Sequence, residues 1–199
     1  MRKLSLLIAL ATATVIAVVA TSSSGAAPRS TATAKTTVSP SLVTWLARAR
    51  IATAKYSTSL AAAKADGYGI ITKMIPDMGY HYMNPKITGF DPAKPPILVY
   101  EKHGSTWQLG AVEWVFTAKP KTPPLPGATY GAFGAGCHYT DGTFIPAATQ
   151  AGCPADAHSG AKFSFWHPLL ITMHVWLWYP NPSGLFASTN PLVSFFDQS

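Results

Sequence analysis

The chain has 199 residues, 48% hydrophobic and 12% aromatic, with 15 Lys and Arg against 8 Asp and Glu and a formal net charge of +7. That charge includes Arg2 and Lys3, and the other cations are scattered singly. A nucleic-acid role is therefore disfavoured, because such binders gather cations in a stripe or interleave them with stacking aromatics. The charge supports only mild attraction to anionic surfaces, while six Trp in so short a chain call for a thick core or an aromatic-lined cleft.

The first 20 residues, MRKLSLLIALATATVIAVVA, have the basic start, apolar run and small-residue end of a secretory signal peptide. Cleavage is expected after Ala20 or near Ala27, so the signal occupies residues 1–27 at most. A retained anchor is the alternative, although the apolar run falls slightly short of the ~20 residues a span needs. Ser, Thr, Ala and Pro dominate the residues up to about Pro40, too few of them large and apolar to offset chain entropy, so residues 28–40 read as a disordered lead. Residues 41–199 then form a single globular domain, extracellular or in the cell envelope, with no stable membrane span once the signal is removed.

Ser39-Pro40-Ser41 is a helix start, and Leu42, Trp45, Leu46, Ala49, Ala52, Tyr56, Leu60 and Ala63 recur mostly at three- and four-residue steps. One long amphipathic helix ending at Gly67 is expected. Beyond it, short β-branched and aromatic runs separated by Gly, Pro, Asn and Asp predict strands near 69–74, 79–83, 97–103, 108–117, 162–166 and 170–179. The loop AKPKTPPLPGATYGAFGAG is too rich in Pro and Gly for regular structure. The fold class that follows is α+β: a long N-terminal helix packed on a small antiparallel β-barrel or curved sheet.

Cys137 and Cys153 are an even pair in an oxidising compartment, for which a disulfide is the expectation and a metal or redox site with His138 the competing one. In ILVYEKHGSTWQLGAVEWVF, a two-residue type II′ turn at Gly104-Ser105 pairs Glu101 with Gln108 and points Glu101 and Glu113 to opposite faces. A three-residue turn returns them to one face, but with Glu113 across from Ile97, about 13 Å along the strand from Glu101. In neither register do the two carboxylates grip one ion together.

Four ionisable residues interrupt apolar strands: His81 in MGYHYM, Glu101 in ILVYEKH, Glu113 in AVEWVF and His174 in ITMHVWLWY. Burying such groups costs several kcal/mol unless they are paired, coordinated or wetted. One reading makes His81 and His174, with Glu101 or Glu113, the ligands of a zinc, iron, manganese or copper ion, the second Glu acting as proton carrier or orienting a His. The other is a structural Glu/His hydrogen-bond network, since no H-x-H or H-E-x-x-H spacing forces a metal. Met78 and Met83 beside His81 admit a copper site with thioether ligands, but Met173 points away from the face of His174 by strand parity. Tyr82, Asn84, Trp176 and Trp178 are candidates for the wall of a small-molecule pocket. His103, His138, His158 and His167 are expected at the surface, and the Asn-Pro steps at 84, 181 and 190 either rim one barrel mouth or simply end strands. No G-x-S-x-G elbow supports a serine nucleophile.

The phrases ATAKY, ADGY, MGYHYMNP, LVYE, AVEW and HVWLWYPNPSGLFASTNP resemble an uncharacterised family of small secreted bacterial proteins over about Ala52 to Ser194. The resemblance implies that His81, Asn84, Glu101, Glu113, His174 and the Asn181-Pro182 turn belong to a shared pattern. It implies no activity, ligand or cofactor, and it does not extend to the Pro-rich loop or the Cys137–Cys153 region. The order His, Glu, Glu, His on successive strands is loosely similar to cupin-like barrels, an analogy without their signature spacing. A secreted metal-binding protein, possible metalloenzyme, is thus the leading expectation; a non-catalytic module with an aromatic-lined ligand pocket, or a structural envelope protein, are the others.

Overall fold

A computed structural model of the protein describes residues 38–193. The signal peptide, its cleavage site and most of the expected lead lie outside the described residues; Pro40, the lead's last residue, is already the first of a helix.

The single long helix expected over residues 41–66 is instead broken into short pieces. Helix α1 covers Pro40–Thr53, a 3-10 turn follows over Ala54–Tyr56, and α2 covers Leu60–Ala65. Ser57-Thr58-Ser59 is the cause, because hydroxyl side chains favour caps over helix interiors. Ser59 caps α2 by accepting from the Ala62 N–H at 3.2 Å. The carbonyls that the break frees are taken by the sheet: Tyr56 O accepts from the Tyr100 hydroxyl at 2.9 Å, and Ser57 O from the Leu109 N–H at 2.8 Å. The expected buried stripe survives the break, with Leu42, Ala49, Tyr56, Leu60 and Ala63 all buried. Gly67, at φ +95°, ends α2 as the composition predicts.

Nine strands follow: β1 (Gly69–Ile75), β2 (Gly79–Met83), β3 (Ile97–His103), β4 (Thr106–Phe116), β5 (Gly131–Phe133), β6 (Gly136–Tyr139), β7 (Phe144–Pro146), β8 (Phe163–His167) and β9 (Leu170–Val175). Among the described residues, six form an antiparallel sheet in the order β1-β2-β3-β4-β9-β5, and three form a second in the order β7-β6-β8. The large sheet curls into a half-barrel whose edges, β1 and β5, do not meet, so the closed-barrel form of the expectation is not the one adopted. One face packs Leu98, Tyr100, Leu109, Val112, Trp114, Met173 and Val175 against the helices. The small sheet meets the large one along β1, where the Lys73 N–H donates to Gly142 O at 2.7 Å.

Strands β5, β6 and β7 were not foreseen, because they are three or four residues long and sit in Gly-rich sequence where alternation gives no signal. The loop AKPKTPPLPGATYGAFGAG is irregular over its Pro-rich first part, where it buries Leu125 in the core, but the expectation fails at its Gly-rich end, which supplies β5 and the start of β6. Beyond Val175 the chain leaves the ladder. Trp178 and Tyr179 donate their N–H groups to Gly110 O at 3.0 and 3.2 Å, so the last strand stops short of the expected Tyr179.

The hairpin turn is as predicted: His103 pairs with Thr106 and Glu101 with Gln108, and Gly104 supplies the positive φ of +56°. What the turn does not reveal is a bulge at Gly110. Tyr100 faces Leu109 while Val99 faces Ala111, leaving one extra residue on β4.

Cys137 and Cys153 are bonded to each other, as expected, so neither sulfur is a free thiolate available to ligate a metal. The bridge closes a 16-residue separation, so the Cys137→Ala/Cys153→Ala double variant is expected to lose about 3 kcal/mol in the chain-entropy view, read from the urea unfolding midpoint.

Candidate metal centre

The Gly110 bulge decides which way Glu113 points. With the two-residue turn alone, continuing the Glu101–Gln108 register would put Glu113 opposite Pro96 and on the helix-facing side. The extra residue moves the register by one, so Glu113 pairs with Ile97 and with His174, and a one-residue slip turns a side chain to the other face. His81, paired with Val99 and Thr72, shares that face.

Curl then does the rest. Strands β2 and β9 are three positions apart, ~14 Å across a flat sheet, but the rings of His81 and His174 are only 5.9 Å apart between centroids. The ligand atoms of His81, Glu113 and His174 all lie within 4.8 Å of one another, and all three residues are buried.

These contacts are neither hydrogen bonds nor ion pairs. His81 Nε2 is 3.6 Å from Glu113 Oε2, and His174 Nε2 is 3.6 Å from Oε1, beyond hydrogen-bonding range. Desolvation also keeps the groups neutral: it pushes the Glu113 carboxyl up to about 8, the His174 imidazole down to about 4 and that of His81 down to about 3, neighbouring His174 adding to the last effect. A hydrogen-bonded structural network is therefore not what holds the three together. Neither nitrogen of His174 has a hydrogen-bond partner among the described residues. A separation of 3.6 Å does suit two ligands sharing an ion, since bonds of about 2.1 Å in a tetrahedral shell leave donors ~3.4 Å apart.

Surrounding groups orient the site. The Thr72 hydroxyl is 2.8 Å from His81 Nδ1, fixing the ring through the nitrogen that faces away from Glu113. Trp176 stacks on His174 at 6.3 Å and 14°, while its indole N–H donates to Ala187 O at 2.7 Å.

Beside the triad a cavity of about 140 Å³ lies between the two sheets. Ile71, Ile75, Met78, Met83, Val115 and Phe165 are among its apolar walls, and His138 and His167 also line it. Both of those residues were expected at the surface; they are buried instead, His138 because β6 tucks beneath β1 and His167 because β8 ends against Phe133. Their aromatic-rich settings, GCHY and FSFWH, were the available signal. His138 Nδ1 is 2.6 Å from Ile71 O, and His167 Nδ1 is 2.6 Å from Pro168 O. His158, in contrast, is exposed, and His103 precedes the β3–β4 turn, both as expected.

Other sequence candidates lie elsewhere. Glu101 Oε2 lies 2.9 Å from His103 Nε2 and the carboxylate acts on the Tyr179 phenol, four residues along β3 from the Ile97–Glu113 pair. The structure thus does not bring it to the triad. Tyr82 is on the helix-facing side, edge-on to Tyr100 and Trp107. Trp178 donates to Thr53 Oγ1 at 2.9 Å beneath the Arg50 guanidinium. Asn84 donates to Asp66 O at 2.8 Å and accepts from the Lys86 N–H at 3.0 Å. Asn181 and Asn190 likewise accept from N–H groups two residues on, so all three Asn-Pro steps form turns; none lines the cavity beside the triad, and Asn84 lines a separate pocket with Thr53, Asp66 and Tyr68. Met78 and Met83 line the cavity, whereas Met173 faces the helices, as strand parity predicts.

The neutral triad makes stability without metal a two-sided function of pH. Folded His81, His138 and His174 hold their protons less tightly than unfolded histidine, so the unfolded chain binds more protons below about pH 6.5 and stability rises with pH there. Folded Glu113 keeps a proton that the unfolded chain has lost, so its contribution falls as pH rises from 4.5 to about 8. Chelator-treated protein is expected to reach maximal stability near pH 6.5, and Glu113→Gln to flatten the alkaline decline, both read from denaturant midpoints across pH.

Compared with protein-family models, with curated proteins and with solved structures, the chain matches none.

Proposed function

We propose that this is a secreted metal-binding protein in which His81, Glu113 and His174 hold a divalent transition-metal ion. The observation that carries the reading is the convergence, within 4.8 Å and out of water, of two imidazoles and a carboxyl that do not hydrogen-bond to one another. An ion would relieve two costs together, replacing the proton on Glu113 and occupying the lone pair of His174 that has no partner among the described residues. With the His81 Nδ1–H donating to Thr72, Nε2 presents its lone pair toward Glu113, the outer-ligand arrangement usual for metal-bound histidine.

Two His and one carboxylate suit zinc, iron, manganese or copper and leave coordination positions free, the pattern of reactive rather than closed structural sites. Those positions adjoin the apolar cavity. An ion there would act as a Lewis acid on a small molecule entering it, and Glu113, rather than Glu101, is the carboxyl placed to take part. The Cys137–Cys153 disulfide fits an oxidising, extracellular compartment, and no helix among the described residues is long and apolar enough to cross a membrane.

Elemental analysis of protein purified without chelator or affinity metal, followed by titration with zinc, iron(II), manganese and copper, tests the proposal. Near-stoichiometric binding of at least one ion is expected, abolished in His174→Ala and in Glu113→Gln. Thr72→Val should bind the same ion about 10- to 100-fold more weakly. Failure of the folded protein to take up any of the four ions would overturn the reading.

A further inference from the structure

The wall of the chamber opposite in character to the metal triad is formed by two more histidines with a defined chemistry. A carbonyl oxygen only accepts, so the 2.6 Å contacts to Ile71 O and Pro168 O require that His138 and His167 each carry a proton on Nδ1. In the neutral ring the lone pair is then on Nε2. His167 Nε2 is buried with no hydrogen-bond partner among the described residues, and both rings, 5.0 Å apart, line the chamber. These two nitrogens are thus hydrogen-bond acceptors on an otherwise largely apolar wall.

The size of the chamber narrows what they accept from. At about 140 Å³ it is close to the ~150 Å³ apolar cavity known to hold benzene. Away from the triad, a charged group would lose its hydration against Ile71, Met83, Val115 and Phe165, where the wall carries no Asp, Glu, Lys or Arg to replace it. We propose that the chamber binds an uncharged, mostly apolar molecule about the size of one benzene ring, carrying a single hydroxyl or N–H whose hydrogen is accepted by Nε2 of His167, with His138 beside it. The inference rests on the metal reading above for what the molecule meets at the triad, and on the chamber alone for its being bound.

Phenol and benzene are the probes, titrated into folded protein and followed by NMR and calorimetry. Phenol is expected to bind at least about tenfold more tightly than benzene, the difference being one hydrogen bond to an otherwise unsatisfied acceptor. His167→Phe, which keeps a ring against Phe133, should erase that preference by weakening phenol. Val115→Phe, which fills the chamber, should exclude both probes. Chelator added to the wild-type protein separates the two proposals, since phenol binding should persist after the ion is removed. Absence of saturable binding of either probe to wild type would overturn the inference. Equal affinities for phenol and benzene, or a phenol affinity unchanged in His167→Phe, would do so as well, the latter two meaning that water satisfies Nε2 instead.

Discussion

Burying a carboxyl group between two imidazoles is the constraint around which the rest of this protein is arranged. None of the three can keep its charge in so dry a place, and none is close enough to another to share a hydrogen. Such a group of side chains costs free energy unless something completes it. The fold nevertheless holds it by several independent devices: the bulge at Gly110 that turns Glu113, the curl that brings β2 to β9, the Thr72 hydroxyl behind His81 and the Trp176 ring beneath His174. These devices together fix the geometry in which we propose an ion is held.

The bulge also ties the site to the rest of the fold. By interrupting the β3–β4 ladder it leaves the Gly110 carbonyl to receive Trp178 and Tyr179, which ends β9 just after His174 and Val175. One residue before the bulge, Leu109 donates to the carbonyl exposed where the helix breaks. The strand end and the direction of Glu113 are therefore local answers to the same irregularity, and the carbonyl freed by the helix break is met beside it, because every backbone polar group left without its regular partner must find another.

Two sheets of unequal size make the chamber. The large sheet contributes the triad on its inner face; the small one, tied to it along β1 and braced by the Cys137–Cys153 disulfide, contributes His138 and His167. The walls between are hydrocarbon and aromatic ring, so the few polar atoms present act in a low dielectric, where each matters more than it would in water.

Much of this was readable one residue at a time. Periodicity located the six principal strands, composition and compartment identified the disulfide, and the cost of burying polar groups drew attention to His81, Glu113 and His174. The same criterion selected Glu101 equally, because a carboxylate in an apolar strand looks alike whether its partner is an ion or His103. It passed over His138 and His167, whose strands are too short and too Gly-rich to show alternation. Trp178 and Tyr82 were misplaced by a related ambiguity, since an aromatic strand does not say which of its faces holds the cavity and which the helices. Sequence by itself thus determined which side chains are expensive to bury and roughly where the strands run, both being local properties. Tertiary structure alone decided which of them meet: a one-residue bulge inverts the face of everything beyond it, and curl converts three strand spacings into ring contact, neither of which leaves a periodic mark in the chain.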